Sequence, residues 1–501
     1  MASLISLSLA LVGSIFMLSG CATSAIHEAA LSGDIKDLKA FVEGGGNIED
    51  RGDKNWVSGI YHYDGKTLLH MAAEGSQPES VRYLISKGAD IEAKTSAGET
   101  PLLLSAKAGN IVMFDLLLSS GAERFATDKN GNTALLLALD SLKDKPKIAL
   151  DTADALIARD ADINATNRWQ STPLHLAAQH DLESVARLLI QKGANINALN
   201  NHGETPLYVS LGSPYFIISS PKYEFYLSKT FEYLVTLDQN FQVQNRRGRT
   251  LLHQACHPDY INVLFDKSVP KYEQDENGAS PLFFALENCP PESVSVYFKR
   301  GFDVKSAGLD GKTVPLAALN NAYFRHEMLE FVIEQGADVT QQDSVGRSAI
   351  HQAAAHSPEI LDLVIQHGGD INARTKTNAT PLHVAASINI SRLIRNDYQK
   401  QRDLNKETYA HLLNKAGIEV NPKDTKGCTP LHRAVNSGSH EKIQMLLEHG
   451  IDVNGREERG HTAMDMAVLM KDQRMIELFK QAGATSDIDP EEYYRVLCTF
   501  P

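Results

Sequence analysis

Apolar positions recur along this chain in a fixed measure. From Gln170 to His202 it reads QSTPLHLAAQHDLESVARLLIQKGANINALNNH. Thr172 is placed to cap a helix start, its hydroxyl accepting an orphan backbone N–H. Pro173 fills the first helical position, where a missing N–H costs nothing. Leu174, Leu176 and the small pair Ala177 and Ala178 then make the packing face of one short helix. Val185, Leu188 and Leu189 recur at the spacing of a second amphipathic helix. Gly193 stops that helix, because a left-handed residue beyond a helix end is cheapest as glycine. Asn195 to Asn197 lead into a turn. The pattern predicts helix, turn, helix and a projecting hairpin.

The same measure returns at Gly65, Gly98, Gly131, Gln170, Gly203, Gly248, Gly278, Gly311, Gly346, Asn378, Gly427 and Gly460. A less legible copy precedes them, running from Ala25 through Asp50. With its Thr-Pro-Leu-His signature and a period of about 33 residues, the unit resembles the ankyrin repeat. The resemblance implies an all-α repeat protein, an ankyrin-repeat solenoid of about thirteen units over residues 25–485, followed by a tail at 486–501. In such an array each unit buries its apolar face against its neighbours. His70, His175, His253, His351, His383 and His432 all occupy one place in the first-helix motif. A histidine that recurs once per repeat belongs to the scaffold, and in ankyrin units it bonds to the neighbouring hairpin region.

Residues 1–20, MASLISLSLALVGSIFMLSG, fall outside the period and are apolar and uncharged, so they read as a targeting segment. Leu18-Ser19-Gly20-Cys21 resembles the lipobox of bacterial lipoprotein signal peptides. That resemblance implies cleavage before Cys21, a lipidated Cys21 thiol and a tether at 21–24. It further implies the cell envelope, with the outer membrane facing the periplasm favoured by the lack of Asp after the cysteine. The segment departs from the pattern in having no Lys or Arg before its apolar run. An uncleaved anchor helix is the alternative, since about 20 apolar residues suffice to span a bilayer.

Net charge of −13 argues against nucleic acid as the main partner. Cys256, Cys289, Cys428 and Cys498 lie too far apart to read as a disulfide framework. Cys256 takes a small-residue position and is expected as a small buried hydrophobe. A Cys256–Cys289 bridge is open, although the two sit at different phases of neighbouring units. No metal cluster, phosphate loop, dinucleotide fingerprint or nucleophile elbow is present in the sequence. No cofactor, small-molecule substrate or enzymatic activity is therefore expected.

Individuality lies where the period breaks. The first hairpin is long and carries Trp56, Tyr61 and Tyr63. The unit at Gly131 has extra residues at Asp144 to Lys147, and the unit at Gly248 is short, with Pro258 and Pro270. The unit at Gly203 holds an aromatic insert with Tyr223 and Tyr226 expected to be exposed, while Phe231 and Tyr233 fit the core phase of its second helix. A polar insert at Asn389 to Lys406 is read either as a binding loop or as a lengthened helix packed back onto the array. Trp169 sits at a hairpin tip, and neighbouring tips carry Lys129, Arg168, His202, Arg246 and Arg247. Exposed Trp is enriched at interface hot spots, and the cations point to an acidic partner. The functional expectation is a protein-binding scaffold of the bacterial envelope, held on the membrane by lipid. The alternatives are an immunity or inhibitor protein that occludes a toxin or envelope enzyme, and a secreted effector that binds host proteins.

Overall fold

The computed structural model describes residues 25–51, 64–212, 228–388, 398–486 and 498. Among them every regular element is a helix, with only isolated bridges inside two hairpins. The described residues form two compact units. In the N-terminal stack, ending at Arg247, helix pairs begin with residues 25–32 and Ile35–Glu43. The C-terminal stack starts at Gly248.

The unit at Gln170 shows how sequence makes the pair. Thr172 is extended and its Oγ1 accepts from His175 N (3.4 Å), after which the helix Pro173–Gln179 proceeds. Thr100, Thr133, Thr205, Thr313 and Thr462 cap their first helices in the same way. Leu174, Ala177, Val185 and Leu189 are fully buried between the first helix and the second, Glu183–Gln191. Helices of 7 and 9 residues are too short to stand alone in water, so their stability comes from the apolar faces of adjoining units.

Each unit opens on a residue with positive φ, from Gly65 (74°) to Gly460 (88°), and Gln170 (56°) and Asn378 (61°) adopt it without being glycine. At Gly98 the reason is visible. A Cβ there would come within 2.8 Å of Lys129 N in the next hairpin, and at Gly346 within 2.5 Å of Lys376 N. Glycine lets consecutive hairpins approach backbone to backbone.

The irregular stretches resolve differently. The extra residues of the unit at Gly131 become a longer second helix, Pro146–Ile157. On the helix Lys229–Leu234 Phe231 is buried in the expected core phase, whereas Tyr233 is only half-buried and lies under the Arg187 guanidinium (3.9 Å). Of the polar insert, the described part belongs to a lengthened second helix, Tyr398–Leu413, packed onto its own array. Thr408, Tyr409 and Leu412 are buried, and Thr408 Oγ1 donates to His356 O (3.2 Å). The unit at Gly248 has a first helix of only 4 residues, Leu251–Gln254.

The cysteines correct the sequence reading. Cys256 is buried, at 3% exposure, but it is bonded to Cys289, and Cys428 is bonded to Cys498. The difference in phase between Cys256 and Cys289 vanishes in three dimensions. Because the first helix of the unit at Gly248 stops at Gln254, Cys256 falls just past a helix end, as Cys289 does after Pro281–Asn288. Beyond the helix Gln473–Gln481, the last among the described residues, Cys498 is buried, and its carbonyl accepts from Arg433 Nη1 (3.1 Å) and Asn436 Nδ2 (3.4 Å).

Candidate partner-binding surface

Two sets of bonds join neighbouring units within the stacks, and they decide which side chains are left for a partner. The first set is built on the repeated histidine. His175 Nδ1 accepts from Thr172 N (3.2 Å), which leaves the proton on Nε2 to donate to Glu204 O (3.0 Å). Glu204 directly precedes Thr205, the cap of the next unit. His70, His253, His383 and His432 repeat the arrangement, reaching Glu99 O (3.1 Å), Ala279 O (2.9 Å), Cys428 O (2.9 Å) and His461 O (3.3 Å). At His351, Nδ1 bonds to both N and Oγ of Ser348 (3.2 Å each). Burial holds all six rings neutral by lowering their pKa, to about 4 at His70 and His383. These histidines are committed to the scaffold.

The second set is a ladder across the hairpin tips. In the N-terminal stack Lys129 N donates to Ala97 O (2.9 Å), Arg168 N to Asn130 O (2.7 Å), Asn201 N to Trp169 O (2.8 Å) and Arg246 N to His202 O (2.8 Å). The hairpins are closed at their base by a polar side chain, mostly Asn or Asp, and Thr95 at the hairpin of Gly98. Asn167 Oδ1, for example, accepts from Trp169 N (3.0 Å) and Ser171 N (3.1 Å). Backbone groups of the tips are thereby satisfied, and their side chains project into solvent.

The ladder therefore brings Lys129, Arg168, Trp169, His202, Arg246 and Arg247 into one row, all exposed. Trp169 keeps 41% of its surface in water, with the Arg168 guanidinium over its ring at 4.4 Å. That stacked pair was not legible in the sequence, although adjacent Arg and Trp at a tip is the signal that could have suggested it. Phe125 and Leu199, exposed on hairpins of the same stack, were also missed. Cys21, Trp56, Tyr61, Tyr63, Tyr223 and Tyr226 lie outside the described residues. Among the described residues no group of three His, Cys, Asp or Glu could hold a metal ion, and no helix is long and apolar enough to cross a membrane.

Paired short helices, capped alike and joined through histidine and hairpin ladders, define a tandem helical-repeat protein. Family models agree on which kind. One described as ankyrin repeats matches residues 144–216, 316–406 and 401–490, and a second ankyrin-repeat model matches 69–118. The chain belongs to the ankyrin-repeat proteins. An ankyrin repeat protein of fowlpox virus is 34% identical over 136 residues, 26% of this chain and 38% of that protein. Protein phosphatase 1 regulatory subunit 27 of Homo sapiens is 37% identical over 78 residues, 16% of this chain and 44% of its own length. The L-asparaginase of Dirofilaria immitis, a distant ankyrin-containing match, is 28% identical over 151 residues, 30% of this chain and 23% of that protein. The chain spans less than half the length of each of these relatives. The ankyrin family is typically non-enzymatic, and relatives of this kind point to a protein–protein interaction scaffold.

Proposed function

We propose that this chain is a non-enzymatic protein-binding scaffold of the bacterial cell envelope, anchored by lipid on Cys21. The observation that carries the compartment is the pair of buried disulfides, Cys256–Cys289 and Cys428–Cys498. Such bonds form and persist where thiols are not kept reduced, as in the periplasm. The apolar segment 1–20 and the Leu18-Ser19-Gly20-Cys21 motif support the same address. Support for a binding role without chemistry comes from the recurrent histidines, which are neutral, buried and bonded within the scaffold.

Cell fractionation with labelled palmitate tests the reading. The wild-type chain is expected in the membrane fraction with label on Cys21, because several acyl chains hold far more firmly than one. Cys21→Ser is expected to lose the label and to remain unprocessed or soluble. Palmitate incorporated by Cys21→Ser would overturn the anchor. All four remaining cysteines reacting with an alkylating agent before any reductant is added would overturn the envelope address.

A further inference from the structure

We infer that the tip row of the N-terminal stack is a binding site for an acidic, extended segment of a partner protein. The inference rests on the protein-binding reading and names the chemistry of the partner. Its first support is the state of the cations. Elsewhere in the same stack arginines hold carboxylates: Arg124 with Asp160 (2.9 Å), Arg159 with Asp115 (2.5 Å) and Arg187 with Glu183 (2.8 Å). Lys129, Arg168 and Arg246 are in no ion pair among the described residues, although the protein carries a net charge of −13. A chain with acid in excess leaves these three open along one edge.

The second support is geometric. The ladder fixes the backbone of each tip to its neighbour, so Lys129 and Arg168 stand on successive tips and Arg246 stands beyond the tip of Asn201 and His202, along one line. A ligand that meets them together must be long in one dimension. At the middle of the row the Arg168 guanidinium lies on the Trp169 indole. Stacking fixes the plane of the fork and leaves its N–H edge free to take a carboxylate in two parallel bonds. The exposed part of the indole offers the apolar contact beside it, the combination that dominates interface hot spots. Carboxylates spaced along an extended peptide, with an apolar side chain against Trp169, complement the row in charge and form. Nucleic acid suits it less well, since the strong net negative charge repels a dense polyanion at long range and the row holds a single stacking platform.

The detergent-solubilised full chain is titrated into a fluorescein-labelled peptide of alternating Glu and Gly, with the Gln and Gly peptide as control. The Glu peptide is expected to bind at least about tenfold more tightly than the Gln peptide, and to weaken as salt screens the charges. Arg168→Glu with Arg246→Glu is expected to weaken binding by about tenfold or more, with an unchanged melting midpoint because both side chains are exposed. Trp169→Ala weakens it severalfold, and Arg168→Lys, which keeps the charge and loses the fork, falls between. Lys376→Glu, at a tip of the C-terminal stack, leaves it unchanged. Equal binding of the two peptides, or a double variant that binds like wild type, would overturn the inference. So would capture by phosphatidylglycerol vesicles but not by phosphatidylcholine vesicles, in place of peptide binding, or a double variant whose only effect is to dissociate a dimer. A wild-type chain that retains no envelope protein from an extract defeats the scaffold reading itself. If wild type and double variant retain the same proteins equally, only the tip assignment fails.

Discussion

Between Gly65 and Gly203 every unit of the N-terminal stack builds helices of 7 to 12 residues, and no cysteine occurs from residue 22 to residue 255. There a first helix ends on backbone bonds made by its own turn: Gln77 N donates to Ala72 O (2.9 Å), Asn110 N to Ser105 O (2.9 Å) and Leu182 N to Ala177 O (2.8 Å). The C-terminal stack closes several helix ends from outside. Tyr297 Oη donates to Leu252 O (3.0 Å), and Ser293 Oγ to Cys256 O, at the end of the four-residue helix Leu251–Gln254. Asn321 Nδ2 reaches Leu286 O (3.0 Å) and Cys289 O (2.9 Å), and Lys442 Nζ reaches Ala385 O (2.7 Å) and Ile388 O (3.2 Å). Each donor belongs to the following unit. Where the turn is regular the helix end is closed locally; where it is shortened or interrupted, orphan carbonyls are met by a neighbour's buried side chain, and disulfides add covalent ties. Regularity makes units separable, and irregularity interlocks them.

Acid should separate the stacks most widely. Burial lowers the pKa of His70, His175 and His180 in the N-terminal stack. In the C-terminal stack it does so for His253, His257, His351, His356, His383 and His432, with His356 at about 3 and His383 at about 4. The unfolded chain protonates these rings near pH 6.5, before the folded one does. Their contribution to stability is thus complete above pH 6.5 and is lost as pH falls toward the folded values. Each ring costs up to about 1.4 kcal/mol per pH unit in that window. Hydrogen exchange in urea between pH 7 and pH 5 should show the C-terminal stack losing stability with roughly twice the slope. Equal slopes would break the comparison.

Reduction should act on one stack only. Cys256–Cys289 and Cys428–Cys498 close loops with separations of 33 and 70 residues, and a native disulfide typically contributes about 2–4 kcal/mol. Cys428→Ala with Cys498→Ala should lower the C-terminal stack by that order in urea unfolding while exchange in residues 64–212 stays unchanged. An unmoved C-terminal stack would show that the side-chain locks hold it without help.

The contrast also explains what the sequence could and could not say. Repetition made the fold readable: the cap, the histidine and the left-handed turn residue each recur, so one unit explains its neighbours. Tip side chains were readable as a row because register places Lys129, Arg168 and Arg246 two residues before the turn residue. Irregular features have no second copy to read. Cys256 and Cys289 stand at different distances from their turn residues, and only the early stop at Gln254 aligns them. Lys442 occupies a helix position that is apolar at Val185 and Met113, and it is 3% exposed. Burial pushes its pKa down to about 7. Its reason lies in another unit, where Ile388 turns extended after the helix Pro381–Ser387 and, among the described residues, no backbone N–H closes that end. Sequence reasoning within a unit cannot see a device that spans two.

The smallest effect expected is the most local. His175→Ala removes the acceptor for Thr172 N and the donor to Glu204 O, leaving buried groups unsatisfied at a cost of about 1–3 kcal/mol. Coupling in a repeat array runs between nearest neighbours, so faster exchange should appear around Thr172 and in Glu204 to Ser210, while residues 68–107 keep their protection. The matched change, His383→Ala, frees Cys428 O in the same way. Its opening should be smaller, because Cys428 is also tied to Cys498, whose carbonyl is gripped by Arg433 and Asn436. Adding Cys498→Ala to His383→Ala should then restore an effect like that at His175. If His383→Ala alone opens its unit as far as His175→Ala does, the disulfide does not brace that step, and the two stacks share one way of holding a unit to the next.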